Sequence, residues 1–105
     1  MSKVNYKVLV PEVASWMGIS SFPAEWSGVD VVLPLLEQMR QEGAVFLLKW
    51  DGERTGCPYT AWVGGANMQE DNFRTDASSL EQALAYIIVH YAQLRWGFPM
   101  ELFQQ

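Results

Sequence analysis

The sequence predicts a single α+β domain over residues 1–105, an antiparallel sheet covered by two main helices. Three observations carry that expectation. Ala44 to Val63 reads as a β-hairpin: the apolar run Ala44-Val45-Phe46-Leu47-Leu48-Lys49-Trp50 is broken at Asp51-Gly52 and resumes at Cys57. Leu80 to Trp96 has helical spacing, with Leu80, Ala83, Leu84, Ile87, Ile88, Tyr91 and Leu94 on one stripe. Strand-like and helix-like stretches are also segregated along the chain instead of alternating. The expected order is β-(loop)-α-β-β-β-α.

Each element has its own signal. Val4, Tyr6, Val8 and Val10 alternate with Asn5 and Lys7 as an N-terminal strand ending at Pro11. Pro11 to Met17 suits a short helix stopped by Gly18, and residues 19–28 a loop pinned to the core by Ile19, Phe22 and Trp26. Asp30 opens a helix with Val31, Val32, Leu35, Leu36 and Met39 on its apolar stripe. Pro34 disturbs its first turns, and Gly43 is the expected left-handed stop. In the hairpin, period two separates Phe46, Leu48 and Trp50 from Val45, Leu47 and Lys49. Both sets are apolar until the turn, so this strand is expected to be central and covered on both faces. Residues 64–72 form an acidic loop, and Phe73-Arg74-Thr75 a third meander strand. Ser78 with Glu81 and Ser79 with Gln82 have capping-box spacing for the last helix, which Gly97 ends.

Composition bounds the function. Half the residues are hydrophobic and five are Trp, enough to order a chain of this length without disulfides. One cysteine excludes an internal disulfide and fits a reducing compartment. Met1 to Asn5 has no basic stretch leading into an apolar run, so no signal peptide is expected. The helix at 80–96 is too polar to span a bilayer, which points to a cytoplasmic protein without a membrane partner. Net charge is −5, and no two of the seven basic residues are adjacent. Nucleic acid is therefore a poor partner and a basic protein surface a better one.

No catalytic constellation stands out. Cys57 and His90 are the only thiol and imidazole, and nothing in the spacing brings them together. Asp51 and Glu53, and Glu70, Asp71 and Asp76, lack the ligand spacing of a cation loop, and Gly64-Gly65 lacks the Lys-Ser/Thr of a phosphate loop. No metal or cofactor is expected. The helix-strand-strand-strand-helix order resembles that of double-stranded RNA binding domains. Those carry a basic cluster at the start of the last helix, where this chain has Asp76-Ala77-Ser78-Ser79-Leu80-Glu81. Paired strands followed by Thr75 to Leu84 are similar to HicB-type antitoxins over less than half the chain, without their Pro-rich turn. Neither likeness assigns a family.

The candidate binding residues are Trp62, Val89, Trp96, Glu70 and Asp71. Ala85, Val89, Ala92 and Trp96 give the last helix a second apolar face, to be covered by the Pro11–Gly28 segment or the Phe98–Phe103 tail, or else by a second copy or a partner. The expected function is a small non-catalytic protein-binding module, engaging a protein partner or a second copy. Neutralising a basic protein, as bacterial immunity and antitoxin proteins do, suits its size and acidity. The alternative is a small-molecule or enzymatic domain with an aromatic pocket near Cys57 and His90.

Overall fold

The computed structural model describes residues 5–103, and its first element corrects the sequence reading. Tyr6–Trp16 is a helix, α1, not a strand; Val4 lies outside the described residues. The alternation of Tyr6, Val8 and Val10 hides a second period in which Leu9, Val10, Val13 and Ala14 form one buried face. Val8, on the same row of the expected strand as Val10, is exposed where Val10 is buried. Pro11 sits inside this helix and has no N–H for the Lys7 carbonyl one turn back. That carbonyl accepts a hydrogen bond from the buried Trp26 indole instead, at 2.9 Å. The orphan acceptor left by the proline is thus satisfied by the loop, and the loop is pinned by the same bond.

The second helix, α2 (Val29–Gln41), holds Pro34 in its interior and buries Val32, Leu35, Leu36 and Met39. Its N-terminus is tied to the last helix by a hydrogen bond from the Gly28 N–H to the Glu81 carboxylate. Gly43 ends it at φ +101°, donating to the Arg40 carbonyl while Ala44 donates to that of Met39. Three antiparallel strands follow: β1 (Val45–Trp50), β2 (Tyr59–Gly64) and β3 (Phe73–Ala77). β2 is the middle strand, with Leu47 and Arg74 on either side of Trp62. The strand expected at Cys57 begins only at Tyr59, because the connection is wide: Asp51 N–H donates to Pro58 O, and Cys57 takes φ +49°.

The last helix, α3 (Leu80–Arg95), begins where the serines place it, with Ser79 Oγ accepting from the Gln82 N–H. It packs against β2 and β3 on one side and α1 on another, so most of its circumference is buried. Ala85, Val89 and Ala92 are wholly buried, and the chain itself covers the second apolar face. Leu94, expected in the core stripe, is 49% exposed. A 3-10 turn at Met100–Phe103 follows, with Phe98 and Met100 buried. The observed order, α-α-β-β-β-α, keeps the α+β class and loses the N-terminal strand.

The core lies on one side of the sheet. Ala61 and Val63 of β2 are buried beneath α3, while Thr60 and Trp62 point the other way. Among the described residues no helix is long and apolar enough to cross a membrane.

Candidate functional site: the open edge of the sheet

β1 is an edge strand, contrary to the expectation that it is central and covered twice. Val45 and Leu47 are 49% and 62% exposed, and Trp50 is 58% exposed. The physical reason is geometric: all three helices of a chain this short are used on one face and beyond it, leaving none for the other. Alternation then puts an apolar row where water should be.

The hydrogen-bonding phase of β1 follows from its register. Asp51 N–H bonds to Pro58 O, so Asp51 and Pro58 are a hydrogen-bonded pair. In an antiparallel ladder such pairs alternate, so Val45, Leu47 and Lys49 direct their N–H and C=O groups at β2. Phe46, Leu48 and Trp50 direct theirs at the free edge, where no described strand meets them.

Each side of that edge is apolar. On the outer face Val45, Leu47 and Trp62 adjoin, because Val45 pairs with Gly64 and Leu47 with Trp62. The Trp62 indole folds back along β2 and fills the space a side chain at 64 would take, so the ring lies beside Val45. Gly64 is a requirement of that pose. On the inner side, a groove of about 430 Å³ runs between α2 and β1, lined by Leu33, Pro34, Leu36, Glu37, Arg40 and Phe46. An exposed strand edge flanked by apolar surface on both sides is the geometry that strand addition uses.

Charge is organised around it. Lys49 reaches Asp51 at 3.3 Å, Arg54 bridges Asp51 and Asp76, and Arg74 meets Asp76 at 3.3 Å. Hydrogen bonds from the Glu53 N–H and the Arg54 guanidinium hold the Asp51 carboxyl below its usual range, and the Thr60 hydroxyl does so for Asp76. Glu53 at the hairpin tip, and Glu70 and Asp71 in the loop after β2, are exposed and have no ion-pair partner among the described residues.

The candidate residues therefore divide. Trp62 is half-buried on the outer face, and Glu70 and Asp71 stand at one end of it. Val89 is fully buried and offers a partner nothing. Trp96 is half-buried and internally engaged: its Nε1 donates to the Glu42 carboxylate, which also accepts from the Tyr91 hydroxyl at 2.6 Å. Val45, Leu47 and Leu33 were missed. The one trace of it in the sequence is that Val45 and Leu47 share their face with Lys49, too little to distinguish an exposed apolar row from core.

A second concavity, of about 650 Å³, opens beside the start of α3 and holds Tyr6, Cys57, Asp76, Gln82 and Tyr86. His90 does not line it; the imidazole lies behind, 4.2 Å from the Tyr86 ring and 5.0 Å from Tyr6. Among the described residues no group of three or more His, Cys, Asp or Glu side chains could hold a metal ion. In comparison with protein families, curated proteins and solved structures, nothing matches the chain.

Proposed function

We propose that this chain is a small non-catalytic protein-binding module that takes up its partner along the open edge of β1. One observation carries the reading: a strand edge that no described strand pairs lies between two apolar surfaces, Val45-Leu47-Trp62 outside and Leu33-Leu36-Phe46 inside. Natural edges are usually blunted by proline, a bulge or several lysines. β1 has only Lys49, and that charge is bound to Asp51. Exposing such an edge costs solubility, which a binding role accounts for. The net charge of −5 favours a basic partner, as in proteins that neutralise a basic toxin, and disfavours phosphate backbones.

The test is capture from extracts of the native host, using wild type and the Leu47→Asp, Trp62→Ala double variant as baits. A partner held by wild type and lost by a folded variant supports the edge as the interface. A partner held equally by both places the interface elsewhere on the molecule.

The cleft with Tyr6, Cys57 and Tyr86 favours a second reading, a small-molecule site. Native mass spectrometry of the protein purified from its host, showing a bound small molecule released by Tyr86→Ala, would favour that reading over the first.

A further inference from the structure

Resting on the reading of the cleft beside α3 as a small-molecule site, we infer that it takes an uncharged planar heterocycle with a hydrogen-bond donor beside an acceptor, the chemistry of a nucleobase or of a nucleoside without phosphate. Thr75, Asp76 and Ala77 of β3 all line the cleft. Side chains alternate along a strand, so a cleft that takes in three successive residues runs along the strand's edge. No described strand pairs with that edge. Thr60 and Trp62 bond to β1, so the pairs Tyr59–Ala77 and Ala61–Thr75 carry the bonds between β2 and β3. Asp76, between them, turns its N–H and C=O off the edge, side by side, toward the cleft. A ring edge with a donor next to an acceptor meets both groups at once.

The rest of the lining selects for a flat and neutral ligand. Asp76 is the one carboxylate among the described lining residues, and no lysine, arginine or histidine joins it. That carboxylate is engaged by groups outside the cleft: the Thr60 hydroxyl donates to it at 2.6 Å, and Arg54 and Arg74 pair with it at 3.4 and 3.3 Å. A charged ligand would give up water here and find no counter-charge. Tyr6 and Tyr86, both half-buried, supply an aromatic wall, with the rings edge to face at 5.2 Å. His90 backs the Tyr86 ring at 4.2 Å, which holds the wall in place before anything binds. Burial, and Tyr86 beside it, push the Tyr6 hydroxyl pKa up, so it stays a neutral donor. Gln82 lies one turn before Tyr86 on the same face of α3. Its backbone N–H goes to the Ser79 cap, and its side-chain amide has no hydrogen-bond partner among the described residues. An amide offers a donor and an acceptor to the polar atoms elsewhere on the ring. The cleft's volume of about 650 Å³ suits a ligand of this size.

The experiment titrates the full-length protein with uridine, N3-methyluridine, uridine monophosphate, ribose and N-acetyl-valine methylamide, read by amide chemical shifts and by affinity. Uridine should bind saturably and shift Asp76, Ala77 and Gln82. N3-methyluridine, whose donor is blocked, should bind at least about tenfold more weakly. The monophosphate should bind no more tightly than uridine even at low salt, since the cleft offers it no free cation. Gln82→Ala should weaken uridine binding while leaving the amide spectrum outside the cleft unchanged. Equal binding of uridine and N3-methyluridine would overturn the donor–acceptor match, and tighter binding of the monophosphate would overturn the neutral assignment. Shifts from ribose or from N-acetyl-valine methylamide, with none from uridine, would overturn the heterocycle in favour of a sugar or a peptide segment at the same edge. No shift from any probe would overturn the inference itself. A small molecule still released from the host-purified protein by Tyr86→Ala would then leave the cleft reading standing, and its absence would remove both.

Discussion

At the residue scale, two half-buried polar side chains set how the fold responds to acid. His90 lies among the Tyr6, Phe73 and Tyr86 rings, and its Nε2 is buried without a hydrogen-bond partner among the described residues. Burial pushes its pKa below the ordinary 6.5. The unfolded chain therefore takes the proton first, and stability falls as pH drops below about 6.5, with no dependence from this group above it. Glu42 acts lower. Burial pulls its carboxyl upward, but hydrogen bonds from Tyr91, Gln38 and Trp96 outweigh that and leave the pKa lowered. Its contribution is whole above the ordinary carboxylate range and is lost as pH falls through the lowered value. The same carboxylate and burial push the Tyr91 hydroxyl up to about 12. His90→Phe, which suits an aromatic nest, should remove the decline in thermal midpoint that sets in below about pH 6.5 while leaving the acid limb of the carboxylates. A wild-type midpoint that is flat from neutral pH down to the carboxylate range would contradict the placement of the imidazole. Glu42→Ala should cost on the order of 1–3 kcal/mol, because it strands the Tyr91 hydroxyl and the Trp96 indole together.

At the element scale, α3 is the frame on which the other helices and the sheet are hung. Ile88 and Val89 are both fully buried on it, on neighbouring sides. Ile88→Ala should cost about 2–5 kcal/mol by leaving a cavity. Glu53→Ala, at the exposed hairpin tip, should change stability by no more than about 0.5 kcal/mol. Val89→Asp puts an unpaired charge in the core, so it should destabilise the protein equally at every concentration. Destabilisation that vanished at high concentration would show an intermolecular cover in place of α1. This helix was legible because its signals agree: a serine cap, a sustained period and a glycine stop. α1 was not, because Tyr6, Val8 and Val10 satisfy a strand period while Leu9 and Val10 begin a helical one. Pro11 then looked like an end, and only the fold reveals that the Trp26 indole occupies the Lys7 carbonyl that the proline leaves free. The Trp16 indole likewise donates to the Trp96 carbonyl, a tie across 80 positions that no local pattern encodes.

At the scale of the whole molecule, the allocation of helices decides where function can sit. With α3 laid over one face of a three-stranded sheet and α1 and α2 packed on α3, no described helix or strand is left to cover the other face and the β1 edge. The three-strand meander could be read from the sequence, but the place of β1 in the sheet could not, since reading residues 4–10 as a further strand made β1 central where it is an edge. Trp62, Glu70 and Asp71 were singled out from the sequence because aromatic and acidic residues are conspicuous. Val45 and Leu47 were not, because exposed aliphatic residues resemble core until the layer that should cover them proves absent. The central claim is that this edge is open, and amide hydrogen exchange along β1 in the free protein tests it most directly. The account predicts alternation: slow exchange at Val45, Leu47 and Lys49, whose N–H groups bond to β2, and fast exchange at Phe46, Leu48 and Trp50. Uniformly slow exchange across all six residues would mean that the edge is already paired, and would contradict the account.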